Sequence, residues 1–233
     1  MDRRERYLER ASRRYHDQFL SRENASHWAV SAGKTYLTNH GLFDPAHPSA
    51  RIVQKYCLGV VVNPAPGDER FEGWLSIPYL TRRGVKAMRF RNLKDDGGAK
   101  YGQAKGQPTR LYNPEALFGT HLEIGIAEGE IDALAATEGL GLPTVGIPGA
   151  TQWTAHQRMW APLFKDFERV FILRDGDQAG QDLADAITET LKLKARVINM
   201  PDEEDVSSML VQGRAAELTK QFKEDDEDDE EWQ

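Results

Sequence analysis

The sequence predicts an α/β protein: a mostly parallel sheet flanked by helices, preceded by a basic α+β subdomain. Three observations carry that expectation. From Leu122 onward, short β-rich runs alternate with helix-length segments. Two of those runs end in acidic, glycine-containing strings, Glu128-Gly129-Glu130-Ile131-Asp132 and Asp175-Gly176-Asp177-Gln178-Ala179-Gly180. Charge is also divided along the chain. Residues 1–110 hold 20 Lys plus Arg against 11 Asp plus Glu, residues 111–223 hold 10 against 18, and 224–231 is wholly acidic.

In chain order, residues 3–20 read as a helix, because Tyr7, Leu8, Ala11, Tyr15 and Phe19 recur at three- and four-residue spacing between arginines. A second helix is expected near Ala29–Thr38, before the turn-like His40-Gly41-Leu42. A third covers Ser49–Tyr56, with Pro48 near its first turn. Asn63–Asp68 has loop chemistry. Gly73–Pro78 and Gly84–Arg91 are strand-like, Asp95–Gly98 is a turn, and the basic, Gly-rich Lys100–Thr109 reads as a loop. The second half offers strands at Leu122–Ala127, Thr144–Ile147, Val170–Leu173 and Arg196–Met200. Helical segments Glu130–Glu138, Thr154–Phe164 and Ala179–Leu191 lie between them, the pattern of crossover units in a parallel sheet.

At 233 residues the chain can form one large domain or two small ones. The expected division is a basic N-terminal subdomain over 1–116, an acidic α/β domain over 117–222 and a disordered acidic tail over 223–233. No run approaches the roughly 20 apolar residues that span a bilayer, and no signal-peptide core follows the N-terminus. The expectation is therefore no membrane partner and a cytoplasmic setting. A single cysteine, Cys57, rules out a disulfide framework or a cysteine zinc ribbon within this chain. Formal net charge is −7, yet the basic front suits a grip on a polyanion and the acidic middle suits a metal.

Both acidic strings follow hydrophobic runs, and in an open parallel sheet neighbouring strand ends converge on one crevice. Carboxylates gathered there repel one another unless a cation sits between them. Mg²⁺ or Mn²⁺ is the natural occupant, and phosphoryl transfer the natural chemistry. Glu128 would stand at the strand tip and Asp132 one helical turn later on the same face. Asp175 and Asp177 flank Gly176, while Asp202 and Asp205 follow the fourth strand and would complete the cluster. Taken singly, each also reads as an ordinary solvated acid at a helix N-terminus.

Glu128-Gly129-x-x-Asp132-Ala133-Leu134 followed by Asp175-Gly176-Asp177-x-Ala179-Gly180 resembles the Toprim module of bacterial-type primases, topoisomerases and some nucleases. The Asp-Gly-Asp-x-Ala-Gly form is similar to that of DnaG-type primases and their phage relatives. Met200-Pro201-Asp202-Glu203-Glu204-Asp205 resembles the third acidic stretch, with Ser207 where many members carry a further acid. Upstream, Thr35-Tyr36-Leu37 with His40-Gly41-Leu42, Val53–Tyr56, Leu58-Gly59, Trp74–Pro78, Val85–Arg91, Lys100-Tyr101 and Arg110–Asn113 resemble the basic part of the primase RNA-polymerase core.

The resemblance implies a DNA primase that joins ribonucleoside triphosphates into short RNA primers on a single-stranded DNA template. Glu128, Asp175 and Asp177 would be catalytic, and Arg89, Arg91, Lys100, Lys105 and Arg110 would contact nucleic-acid phosphates. Tyr101 or Trp74 would be a base-stacking candidate, with a core role favoured for Trp74. Against the family pattern, this sequence is expected to lack a fused helicase, the zinc ribbon and most of the helical subdomain. A separate replicative helicase and a zinc-binding or initiation module are thus implied as partners. Two alternatives remain: a Toprim-type nuclease, and a non-catalytic single-stranded-DNA-binding adaptor for a replicative helicase. Gly33-Lys34-Thr35 imitates the end of a P-loop, but Trp28 stands where that motif needs glycine and no strand leads in.

Overall fold

A computed structural model of the chain describes residues 2–44, 50–94, 96–104 and 106–230, with side chains described as far as Lys223. The chain forms two compact units, Met1–Pro108 and Thr109–Gln233. The division falls ahead of the expected 116/117 boundary, for a physical reason. Leu111 and Ala116 are buried in the hydrophobic core of the second unit, and Tyr112 forms an antiparallel bridge with Gly146 there.

The first unit packs helices α1 (Arg3–Leu20), α2 (Trp28–Asn39) and α3 (Arg51–Lys55) with a four-stranded antiparallel meander. Its strands are β1 (Gly59–Val60), β2 (Leu75–Thr81), β3 (Gly84–Arg91) and β4 (Tyr101–Gln103), in that spatial order. Helix α1 begins with a capping box between Asp2 and Glu5 and buries Leu8, Ala11, Tyr15 and Phe19. Leu8, Ala11 and Tyr15 share a core with Val85, Met88 and Phe90 of β3 and with Phe71. Phe71 and Phe90 stack at 3.9 Å, and Tyr15 meets Phe90 edge-on at 6.2 Å. The Gly33-Lys34-Thr35 string lies within α2, so no phosphate-binding loop forms there.

Two sequence expectations need correction in this unit. Strand β2 continues through Pro78 to Thr81 instead of ending at the proline. Opposite Pro78, Met88 turns its backbone away from β2: its N–H donates to Gln107 Oε1 and its carbonyl accepts from Gln107 Nε2. The missing proline N–H therefore removes no ladder bond to β3, and β1 pairs only as far as Ser76. The Lys100–Thr109 segment was expected to be a loop, yet Tyr101–Gln103 is an edge strand paired with Arg89–Arg91. Three residues are too few for a periodic signal, and pairing with β3 decides the matter. Of the helix expected over Ser49–Tyr56, Arg51–Lys55 is helical, while Ser49 and Pro48 lie outside the described residues.

The second unit is a four-stranded parallel sheet with helices on both faces. The strands are β5 (Glu123–Glu128), β6 (Thr144–Ile147), β7 (Arg169–Arg174) and β8 (Ala195–Asn199), in spatial order β6-β5-β7-β8. The helices are α4 (Glu130–Ala135), continued by a π-turn over Ala136–Leu140, then α5 (Gln152–Trp160), α6 (Gln178–Leu191), α7 (Val206–Val211) and α8 (Ala215–Glu230).

Alternation along each strand sorts the two faces. Ile124, Ile126, Val145, Ile147, Val170 and Ile172 join Trp153, Trp160, Leu183, Ala184 and Ile187 of α5 and α6 in one core. On the other face Gly146 lies against Ala133 of α4, and Phe171 meets Phe222 of α8 at 4.8 Å. The expected disordered tail over 223–233 falls mostly on residues whose side chains, or for 231–233 whose whole structure, lie outside the description. The backbone of α8 is helical through Glu230. Among the described residues no helix is long and apolar enough to cross a membrane.

Candidate functional site

The strand order creates the site. From β5 the chain moves outward to β6, then returns to place β7 on the opposite side of β5. The C-terminal ends of β5 and β7 therefore border a topological switch point, where open α/β sheets bind ligands. Glu128 is the last residue of β5, one step beyond the paired Ala127 and Leu173, and Asp175 directly follows β7.

Helix and loop geometry bring further carboxylates to the same place. Asp132 lies in α4 and is buried, and its Oδ1 accepts the Ser207 N–H at 3.1 Å. Asp205 caps α7: its Oδ1 accepts the Ser208 N–H at 2.7 Å and the Ser207 hydroxyl at 2.8 Å. Ser207, which replaces the further acid of the resemblance, thus ties Asp132 to Asp205 by hydrogen bonds. Asp177 is exposed and caps α6, its Oδ1 accepting the Gly180 N–H at 2.7 Å.

The electrostatics record this crowding. Burial pushes the Asp175 carboxyl well above the usual range, and the charges of Asp132, Glu128, Asp205 and Asp177 push it further. Asp132 is raised by burial and then by Asp205, against the lowering effect of its Ser207 hydrogen bonds. Glu128 is raised by burial and by Asp177, although the Ala150 N–H partly offsets this. Asp175 Oδ1 is buried without a hydrogen-bond partner. A buried carboxylate oxygen with no donor, ringed by other carboxylates, is a cost that a bound cation removes.

Five of the six expected carboxylates therefore act on one another. Asp202 is the exception: it is exposed in the turn after β8 and is not among the principal charges acting on Asp132, Asp175 or Glu128. Among the described residues, no three His, Cys, Asp or Glu side chains already stand as a cage for one ion. Magnesium commonly takes one or two carboxylates and keeps waters and substrate phosphates as its other ligands. Asp175, with its buried donorless oxygen, and Glu128 or Asp177 could supply such a pair, while Asp132 and Asp205 add to the negative charge acting on Asp175. Sequence reading overlooked Glu130, which is 1% exposed at the start of α4; a glutamate in a first turn carries no signal beyond the helix dipole.

Glycine makes the second acidic string possible. A Cβ on Gly176 would lie 1.7 Å from the Pro201 carbonyl oxygen, because Gly176 exchanges hydrogen bonds with the Glu203 N–H and the Glu204 carbonyl. The Asp175–Asp177 turn is thereby pinned to the loop that leads to Asp205. Gly176→Ala is expected to destabilise the protein by several kcal/mol, on the order of 3. Thermal unfolding checks this, and a loss below 1 kcal/mol would show that the two loops separate freely.

In the first unit, Arg89 and Arg91 project from β3 over the ring of Tyr101, at 4.8 and 4.9 Å. Arg91 also lies 5.3 Å from the Tyr36 ring, and its Nε is buried without a hydrogen-bond partner. Arg91, Lys94 and Lys100 border an open groove of about 610 Å³ with Thr35, Tyr36 and Asn39 of α2. Lys105 lies outside the described residues. Arg110 is exposed and belongs to the second unit. Trp74 packs edge-on against Phe71 at 5.5 Å beside the core, which leaves Tyr101 as the aromatic among the arginines.

Comparison with known proteins identifies the fold. Residues 125–210 match the Toprim-like family model. A DNA primase domain from Pseudomonas aeruginosa superposes with a TM-score of 0.70 at 22% identity, over 93% of this chain and 77% of that one. A DnaG primase catalytic domain bound to ssDNA superposes with a TM-score of 0.63 at 18% identity, over 94% and 80%. The fold is that of a DnaG-type primase core, with a Toprim-like domain in its second unit. The chain is 43% identical over 156 residues to the Gene 57 protein of Mycobacterium phage D29, covering 64% of this chain and 99% of that protein. It belongs to the family of that phage protein.

Proposed function

We propose that this protein is a DNA primase, synthesising short RNA primers on single-stranded DNA from ribonucleoside triphosphates. One observation carries the reading: a buried, donorless Asp175 oxygen among four other carboxylates, at the switch point of a DnaG-type core. Glu128, Asp175 and Asp177 would hold Mg²⁺ or Mn²⁺. When bound, the ion supplies charge screening at the α-phosphate and a lowered pKa at the attacking 3′-hydroxyl.

The protein's own part is positioning. Asp132 and Asp205, fixed through Ser207, keep negative potential behind the ligands. Glu128, at the strand tip, would assist transfer of the hydroxyl proton or share the ion. Arg89, Arg91 and Lys100 would hold template phosphates with sequence-independent, salt-sensitive affinity. A separate helicase and an initiation module would supply loading and start-site choice.

Incubating the protein with varied single-stranded templates, ribonucleotides and Mg²⁺ or Mn²⁺ tests this. Short RNA oligomers are expected. Degraded DNA would indicate a Toprim nuclease instead, and metal-independent binding with no synthesis on any template would indicate an adaptor. Arg91→Gln is expected to weaken single-strand binding several-fold at low salt, read by fluorescence anisotropy. An unchanged affinity would remove the groove from the template path.

A further inference from the structure

The outward face of α1 carries a line of arginines for which the proposed chemistry has no use. Helix α1 buries Leu8, Ala11, Ser12, Tyr15 and Phe19 on one side. Arg3, Arg6, Arg10 and Arg13 recur at spacings of three, four and three, which stacks them on the opposite side. All four are exposed. At 1.5 Å per residue the line runs roughly 15 Å along the helix.

The same helix contains enough acid to neutralise the line, yet most of that acid is turned elsewhere. Asp2 is spent on the N-cap. Glu5 pairs with Lys86 of β3 at 2.5 Å. Glu9 Oε2 accepts the Val85 N–H at 3.1 Å, at the start of β3. Among the described residues the side chains of Arg3, Arg10 and Arg13 have no hydrogen-bond or ion-pair partner. Glu5 and Glu9 are thus turned toward β3, which leaves exposed Asp17, one turn beyond Arg13, as the carboxylate of α1 on the arginine face. The β2–β3 turn, whose Gly84 lies against Glu9, carries exposed Arg82 and Arg83.

We propose that this face is a second nucleic-acid track, holding the phosphate backbone of the single strand apart from the Arg91 groove. Three features favour that occupant. The line is built of arginine, whose planar fork matches phosphate oxygens. It has no apolar anchor, since the exposed large apolar residue of α1 is Leu20 at its end, whereas protein interfaces centre on such anchors. The apolar face of α1 is already committed to the protein core, so the helix has nothing to insert into a lipid surface. The inference rests on the protein handling nucleic acid, but not on catalysis.

The test is metal-free anisotropy with full-length protein and labelled oligothymidylate of about 8 and about 30 nucleotides, between about 50 and 200 mM salt. The variant is Arg3→Gln/Arg10→Gln/Arg13→Gln, which removes exposed groups without partners and should leave the thermal midpoint unchanged. The expected result is a loss of about 2 in the slope of log affinity against log salt for the long strand, at roughly 0.7 per released phosphate contact. The short strand should lose less, and the matching lysine variant should retain the slope. An unchanged slope in the glutamine variant, with wild type binding normally, overturns the track alone. Failure of wild type to bind either strand sinks both the track and the primase reading. Competition by polyglutamate that depends on these arginines, with the long-strand slope unaffected by the variant, overturns it in favour of an acidic protein partner.

Discussion

Asp175→Asn and Asp177→Asn are each expected to lower primer synthesis by about 10³-fold or more while leaving the fold intact. Asparagine keeps the size of the side chain but removes the charge that a hard cation requires. The two positions then separate in informative ways. Asp177 also caps α6, and asparagine is as good a cap as aspartate, so Asp177→Asn should keep its thermal midpoint. Asp177→Ala should lose both activity and about 1 kcal/mol of stability. At Asp175 the amide is neutral in both states, so folding no longer has to protonate a buried, crowded carboxylate, and the metal-free variant should melt higher than wild type near neutral pH. Primer synthesis at wild-type rates in both asparagine variants would remove these residues from catalysis.

The second large effect is in the pH dependence of metal-free stability. Asp175, Asp132 and Glu128 are all held above the ordinary carboxylate range in the folded state. Above about pH 4 the unfolded chain has released these protons while the folded protein still retains them. The folded state then binds more protons than the unfolded one, so stability falls as pH rises from that range toward the raised folded-state values. This is opposite in sign to a salt-bridged carboxylate. Melting metal-free protein between about pH 5 and pH 8 should show a falling midpoint, with a shallower fall in Asp175→Asn. Added Mg²⁺ should raise the midpoint more at the higher pH, because binding there displaces fewer protons. A metal-free profile that is flat in wild type, with a Mg²⁺ effect equal at both ends, would contradict the acidic crowding at the switch point.

Much of this was legible in the residues. Helix α1 was readable because its buried positions recur at three and four residues, and the parallel sheet because each β-rich run is followed by a helix-length polar segment. The two acidic strings were readable because strand ends and glycines flank them. What could not be read were features set by distant partners. Strand β4 exists because β3 pairs with it, and β2 passes through Pro78 because Gln107 meets Met88 where the ladder has turned away. Arg110 looked continuous with the other basic residues in sequence, yet its neighbours Leu111 and Tyr112 belong to the second unit.

The candidate site shows the same division. Residue type and spacing determined that Glu128, Asp132, Asp175, Asp177 and Asp205 would stand at strand ends and helix starts, because local hydrogen bonding and periodicity place them there. Only the tertiary structure decided that β5 and β7 are neighbours, so that these charges face one another while Asp202 stays in solvent. Strand order depends on which hydrophobic faces pack together, and that is a property of the whole sheet. No short string of residues contains it.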